Sequence, residues 1–407
     1  LYLNGATPFS LNRTRDNLLL NGTASLVVYS ASGAQTLANS IYNNITLSGS
    51  GTKTSSPPGS VTVNGIMSME GTAVMTSNTI SYGPNSSLRY KGDLAQTSGD
   101  EFPLTLPGSG GLIIDNSNGI TLNEDKTVTY SITFINGIIS SGTNTLTLSN
   151  NGTVTGAGAG NYVNGNFEKG IAAATASISF EVGDATNYTP VIIGFAGTTN
   201  GAGFITVSTT SGDHPMIGTS SFSPSYTVNR YWTISNNGVT GYTSYDATFN
   251  YISSDLDPDT DPLSLVSGLY TGGAWTYPTN GTSTLTSLQA TGLTAFGDFQ
   301  LGVYIGTFRS SASGDWSQAS TWEVFVGGVW TGAPAVPSVG ASVNIVTNAA
   351  DFEKGGKASM SYGNDNFQKY GLMLSSGEMD NGFAITAQGT HTRGNGYVDG
   401  TKFEAWS

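Results

Sequence analysis

Along the first 180 residues, short apolar runs recur between clusters of Gly, Asn, Ser and Thr. They include Leu18-Leu19-Leu20, Ile45-Thr46-Leu47, Val61-Thr62-Val63, Ile113-Ile114, Ile120-Thr121-Leu122, Ile132-Thr133-Phe134 and Leu146-Thr147-Leu148. Strands this short cannot bury a face alone, so each needs neighbours above and below. Their spacing is irregular, and Asn-Gly pairs at Asn21, Asn64, Asn136 and Asn151 mark turns suited to positive φ. The pattern predicts stacked rungs of a β-solenoid, a right-handed parallel β-helix, over residues 1–180. A β-sandwich is the rival for this stretch, but its strands would run longer with strict alternation.

From 181 to 306 the runs lengthen and alternate with a period of two. Val191-Ile192-Ile193-Gly194-Phe195, Phe204-Ile205-Thr206-Val207, Tyr231-Trp232-Thr233-Ile234, Ala247-Thr248-Phe249-Asn250-Tyr251 and Phe299-Gln300-Leu301-Gly302-Val303 are separated by turn signals. A β-sandwich of about seven or eight strands is expected here. Residues 307–348 hold Trp316, Trp322 and Trp330, three tryptophans within 15 residues, and read as the start of a further repeat module. In 351–407, Ala358, Met360 and Tyr362 alternate with Lys357, Ser359 and Ser361. Tyr370, Leu372 and Leu374, then Phe383, Ile385 and Ala387, continue the alternation. This predicts an antiparallel hairpin segment with one apolar face. The expected fold class is therefore all-β: solenoid, sandwich, then antiparallel hairpins.

Composition sharpens the division. Of 407 residues, 55 are Gly and only 10% are charged, which excludes a helical protein and points to several β modules. The last 57 residues nevertheless hold 12 of the 41 charged side chains, so the chain changes character near residue 350. A net charge of −13 with no basic cluster excludes nucleic acid as a partner. With zero cysteines there is no disulfide, thiolate metal site or Cys nucleophile. The Leu1-Tyr2-Leu3-Asn4-Gly5 start lacks a basic and apolar leader pattern and reads as a mature or internal segment.

Candidate chemistry is sparse. Asp255, Asp257, Asp259 and Asp261 alternate in a Pro-containing stretch and form the candidate Ca²⁺ site, since hard cations take several oxygens from one loop. An EF-hand would place Gly and Glu where Thr260 and Val266 stand, so the acidic run also reads as a solvated loop. Trp275 and Tyr277, in a Gly-rich turn, are the candidate carbohydrate-binding aromatics; packing into the core is their alternative. The only histidines are His214 and His391, and His214, between Asp213 and Pro215, is expected as a solvated turn residue. A glycosidase needs two carboxylates at a set separation. Glu70, Asp93, Asp100, Glu101, Asp115, Glu124 and Asp125 show no periodic stacking that would pair them, and a non-enzymatic protein is expected.

Segments such as Tyr42-Asn43-Asn44-Ile45-Thr46-Leu47-Ser48-Gly49 and Asn144-Thr145-Leu146-Thr147-Leu148-Ser149 resemble repeats of large secreted, adhesin-like surface proteins of Bacteroidetes. The Asp315-Trp316-Ser317 and Thr321-Trp322 pattern is similar to module starts in the same proteins. The resemblance implies export by the type IX secretion route, a cell-surface location, and extracellular glycans or surface ligands as partners. Residues 351–407, with Gly394-Asn395-Gly396-Tyr397-Val398-Asp399-Gly400, resemble the first barrel strands of TonB-dependent outer-membrane receptors. That implies association with outer-membrane machinery. Val343-Asn344-Ile345-Val346-Thr347 fits both families, so the tail reads as a fusion, a hybrid of two genes, or a hairpin ending a soluble β protein. A carbohydrate-binding module of a larger enzyme is a further reading of the sandwich.

Overall fold

The computed structural model describes residues 1–7, 22, 25–55, 60–76, 80–92, 94–304, 308–310, 322–326, 329–332, 353–363, 366–377, 379, 383–395 and 402–406. The chain is all-β; the described residues contain no α-helix and only three short 3-10 turns. Leu18-Leu19-Leu20, Trp316 and Val343–Thr347 lie outside the described residues.

The N-terminal region is a β-solenoid of about seven turns. Its largest sheet has eight parallel strands, from Tyr2–Leu3 through Leu26–Tyr29, Asn44–Leu47, Ile66–Glu70, Ser87–Gly92, Gly111–Asn116 and Ser131–Asn136 to Thr153–Thr155. Register aligns like with like. Val27, Ile45, Met67, Leu88, Leu112 and Ile132 form one inward row, and Tyr29, Leu47, Met69, Tyr90, Ile114 and Phe134 form a second. All are buried, and each contributes roughly 1.5–3 kcal/mol by leaving water. This is why triplets suffice: period-two alternation turns the first and third residue inward, and the stack supplies the rest of the core.

The turns divide by mechanism. Gly137 (φ 107°) and Asn151 (φ 62°) adopt the left-handed backbone that the Asn-Gly pairs imply. Gly65 does not, and is glycine for a different reason. A Cβ there would stand 2.6 Å from Asn44 Oδ1 and 2.7 Å from the Asn43 carbonyl of the rung below.

Solenoid and sandwich share a sheet. Strands Gln96–Thr97, Ile120–Thr121, Ile139–Leu148 and Val163–Ala173 stack in parallel. The last then pairs antiparallel with Asn200–Ser211, and the sheet runs on through Phe222–Asn237, Gly297–Tyr304, Leu265–Thr271 and Ala274–Thr276. A five-stranded antiparallel sheet, Ser177–Phe180, Val191–Gly197, Tyr242–Asn250, Ser287–Leu293 and Thr279–Ser283, packs across it. Trp232 meets Phe249 at 5.0 Å between ring centroids, and Phe249 meets Phe299 at 4.8 Å, between the two layers. The sandwich has more strands than expected because Ala274–Thr276 and Thr279–Ser283 lack apolar alternation and pair only at sheet edges.

In 307–348 the described residues form three short antiparallel strands, Phe308–Ser310, Trp322–Val326 and Val329–Gly332. The C-terminal unit is an antiparallel meander of four strands, Gly355–Tyr362, Gln368–Ser375, Thr386–Asn395 and Lys402–Trp406. Its third strand starts at Thr386, later than the alternation from Phe383 implies. Pairing of Met360 with Tyr370 and Ala358 with Leu372 sets one apolar face, opposite Lys357, Ser359 and Lys369. Met360, Tyr362, Leu372 and Leu374 on that face are all more than half exposed.

Candidate functional site

The acidic run follows strand Tyr242–Asn250 and folds back along Phe222–Asn237, where its four aspartates take separate partners. Asp255 is buried against Arg230, receiving Nε at 2.9 Å and Nη2 at 3.2 Å, and also accepts the Ile252 N–H. Asp257 accepts the Thr227 N–H at 2.9 Å and Asn229 Nδ2 at 2.8 Å. Asp259 is exposed with φ 62°. Asp261 caps its own 3-10 turn, accepting from Leu263 N and Ser264 Oγ. The carboxylates diverge, and among the described residues no three His, Cys, Asp or Glu form a group that could hold a metal.

Arg230 is the residue this arrangement turns on. It is fully buried, and it reaches Asp184 at 2.6 Å and Thr209 Oγ1 at 3.2 Å besides Asp255. Sequence alternation carried the signal: Val228, Trp232 and Ile234 face the core, so Arg230 shares their parity and needs a buried acid. Burial pushes the Asp184 carboxyl up, but the Thr186 and Asn187 N–H groups and Arg230 outweigh it and hold it below the usual range.

A second polar cluster lies beside it. Thr227, fully buried, places its Oγ1 at 2.7 Å from Asp213 Oδ1 and 3.0 Å from Asp257 Oδ2. One hydroxyl hydrogen serves only one of these carboxylates. Burial and the neighbouring Asp257 charge raise the Asp213 carboxyl above its ordinary range, against the Thr227 hydrogen bond. A carboxyl whose folded value is raised contributes fully below its unfolded value, and that contribution is lost as pH rises through the folded value. Asp213→Asn, uncharged throughout, is therefore expected to unfold at a higher temperature than the parent at pH 7–8, with the gap closing toward pH 4. Thermal melts across that range check it, and a lower melting point at pH 8 rejects the shared-hydroxyl account.

Trp275 and Tyr277 belong to one aromatic cluster on the outer face of the long sheet. Trp275 is half-buried, donates Nε1–H to Met216 O at 3.1 Å and Thr219 Oγ1 at 3.2 Å, and packs on Tyr270 at 5.2 Å. The Tyr277 hydroxyl accepts the Ser221 N–H, and its ring meets Phe222 and Tyr304 edge-on. His214 is buried here, contrary to the solvated turn expected, because its loop folds over the sheet and Tyr231, Tyr270 and Trp275 surround the ring. Its Nδ1 accepts the Met216 N–H at 3.1 Å, which places the proton on Nε2, 3.1 Å from Asp298 Oδ2. Both ring nitrogens are engaged, and Thr233 Oγ1 bonds Asp298 instead of the imidazole. His391 lies in the C-terminal sheet, 2.7 Å from Glu404.

The solenoid interior holds charged groups whose burial the sequence did not announce. Glu101 is fully buried and accepts from Tyr90 Oη at 2.8 Å, Gly99 N at 2.7 Å and Met75 N at 3.3 Å. Lys53 is buried with its ammonium on the Ala31 and Gly33 carbonyls. These are satisfied structural contacts. Comparison with protein-family models, curated proteins and solved structures returns no match.

Proposed function

We propose that the chain is a non-enzymatic, secreted cell-surface protein with a structural or adhesive role, presenting binding loops on a rigid β-rod. The observation that supports this is the sheet passing without a break from solenoid rungs into the sandwich. A ligand held at sandwich loops pulls on Asn200–Ser211, and that load passes through its ladder to Val163–Ala173 and the rungs. In the sandwich, Asp255 and Asp184 pair with Arg230, and His214 bonds Met216 and Asp298. Extracellular glycans or surface ligands are the partners this reading names. Incubation with a panel of plant, algal and microbial polysaccharides is expected to give retention without product. Reproducible release of reducing ends or unsaturated sugars overturns the reading.

A second reading applies to the C-terminal unit by itself. Its uncovered apolar face suits lipid, as in a strand segment of an outer-membrane receptor barrel. That reading takes the chain to be outer-membrane associated and soluble only in detergent; a stable monomer without detergent overturns it.

A further inference from the structure

On the outer face of the eight-stranded sheet, four consecutive rungs enclose a shallow trough. Its origin lies in the outward rows. Thr46 and Ser68 stand side by side in the middle row, followed by Arg89, so two small hydroxyl side chains form the floor beside a long one. Leu26 and Ile66, 45% and 37% exposed, stand on either side of Asn44 along one side of the trough. Glu70 and Lys91, paired in register with their charged atoms 3.9 Å apart, form the opposite wall. Arg89 is held by an ion pair to Asp115 on the next rung.

Three strand spacings make the trough about 14 Å long, running along the solenoid axis and across the strands. One wall carries two aliphatic side chains with the Asn44 amide between them, the floor carries hydroxyls, of which Ser68 Oγ donates to Glu70 Oε1 at 3.0 Å, and the other wall offers a carboxylate and an ammonium. A pyranose chain presents the matching chemistry, with a C–H face and, at its edge, hydroxyls that each donate and accept. The two acids and two bases cancel, so the trough itself gives no reason to select an ion, while the net charge of −13 repels polyanions. A peptide adding itself as a strand would need a free sheet edge, and these four strands are paired on both sides.

We propose that this trough is a binding site for an uncharged oligosaccharide lying along the solenoid axis, its ring faces on Leu26 and Ile66 and its hydroxyls on Glu70 and Lys91. The proposal rests on the adhesive reading and deepens it, moving one point of ligand contact from the sandwich loops to the rod.

The test is calorimetric titration of the whole chain with cellohexaose, laminarihexaose, mannohexaose and, as the charged counterpart, hexagalacturonate. At least one neutral sugar is expected to bind, and hexagalacturonate is not. Ile66→Ala and Lys91→Ala are each expected to weaken binding about tenfold, the loss of one good contact. Both positions are exposed on the sheet surface, so unchanged melting curves are expected and verify the fold. No binding of any neutral sugar, preference for hexagalacturonate, or wild-type affinity in both trough variants overturns the proposal. If the parent chain is still retained on polysaccharide-coated surfaces in that case, the adhesive reading survives and only the trough is rejected; loss of retention as well rejects both.

Discussion

Arg230→Met is expected to lower the unfolding free energy by about 3–5 kcal/mol, the usual cost of removing one partner from a buried ion network. The guanidinium is fully buried and satisfies Asp255 through two nitrogens and Asp184 through one. Methionine fills much of the volume but leaves two carboxylates without their cation. Asp255 and Asp184 sit in loops far apart in sequence, so the variant loosens both at once and unfolds more readily in denaturant. The network also makes stability depend on acid pH. Asp184 is held below the ordinary carboxylate range, so its contribution is present above its unfolded value and is lost as pH falls through the folded one. The parent is expected to lose stability steeply below about pH 4, and Arg230→Met to lose less over the same interval. Urea titrations at pH 7 and pH 3.5 check both statements; a loss under 1 kcal/mol at pH 7 would show that the acids find water or each other instead.

Much of the solenoid was legible because its physics is local. An apolar residue at the first and third position of a triplet faces inward whichever rung it joins, and Ile45, Leu47, Ile132 and Phe134 all do so. Register among rungs was not legible, since Thr52–Ser55 contains no apolar residue yet buries Lys53 in line with Gln35 and Met75. A polar rung is placed by its neighbours, and its own side chains do not announce their direction. The aspartate run was legible as an acidic loop, but its partners were not. Asp255 meets Arg230 only because strands distant in the chain are adjacent in space. Trp275 and Tyr277 were read as turn residues, but Trp275 stands in the short strand Ala274–Thr276 that follows the turn, and the loop that carries His214 to it was not legible, because a Gly-Asp-His-Pro stretch gives no apolar period to follow. The trough is not legible in the sequence for a related reason. Two small residues on adjacent rungs make a depression only once parallel register sets Thr46 beside Ser68.

Phe167→Ala is expected to cost about 3–5 kcal/mol, the range for a large aromatic removed from a tight core, and to weaken solenoid and sandwich together. Phe167 lies on the one strand that both share. It is fully buried, pairs in register with Leu146 on the solenoid side and Val207 on the sandwich side, and packs edge-on against Phe180 at 6.4 Å. The Lys169 ammonium stands 4.9 Å from its ring centre and is itself paired with Glu181 at 2.5 Å, so the cavity also strips an aromatic face from a buried cation. In a stack of rungs, a loss at one level is felt mainly by its neighbours. A cavity at Leu112, in mid-solenoid, should accordingly unfold rungs locally while the sandwich keeps its protection. A cavity at Phe167 removes the shared neighbour of two ladders, and hydrogen exchange at Leu146–Leu148 and Ile205–Val207 is expected to quicken by the same factor. Unequal acceleration, with the rungs protected and the sandwich open, would mean that the continuous sheet joins two independently folding bodies. The rod would then bend at residue 167 under load, and an adhesive role would require the ligand to be gripped on the solenoid side of that joint.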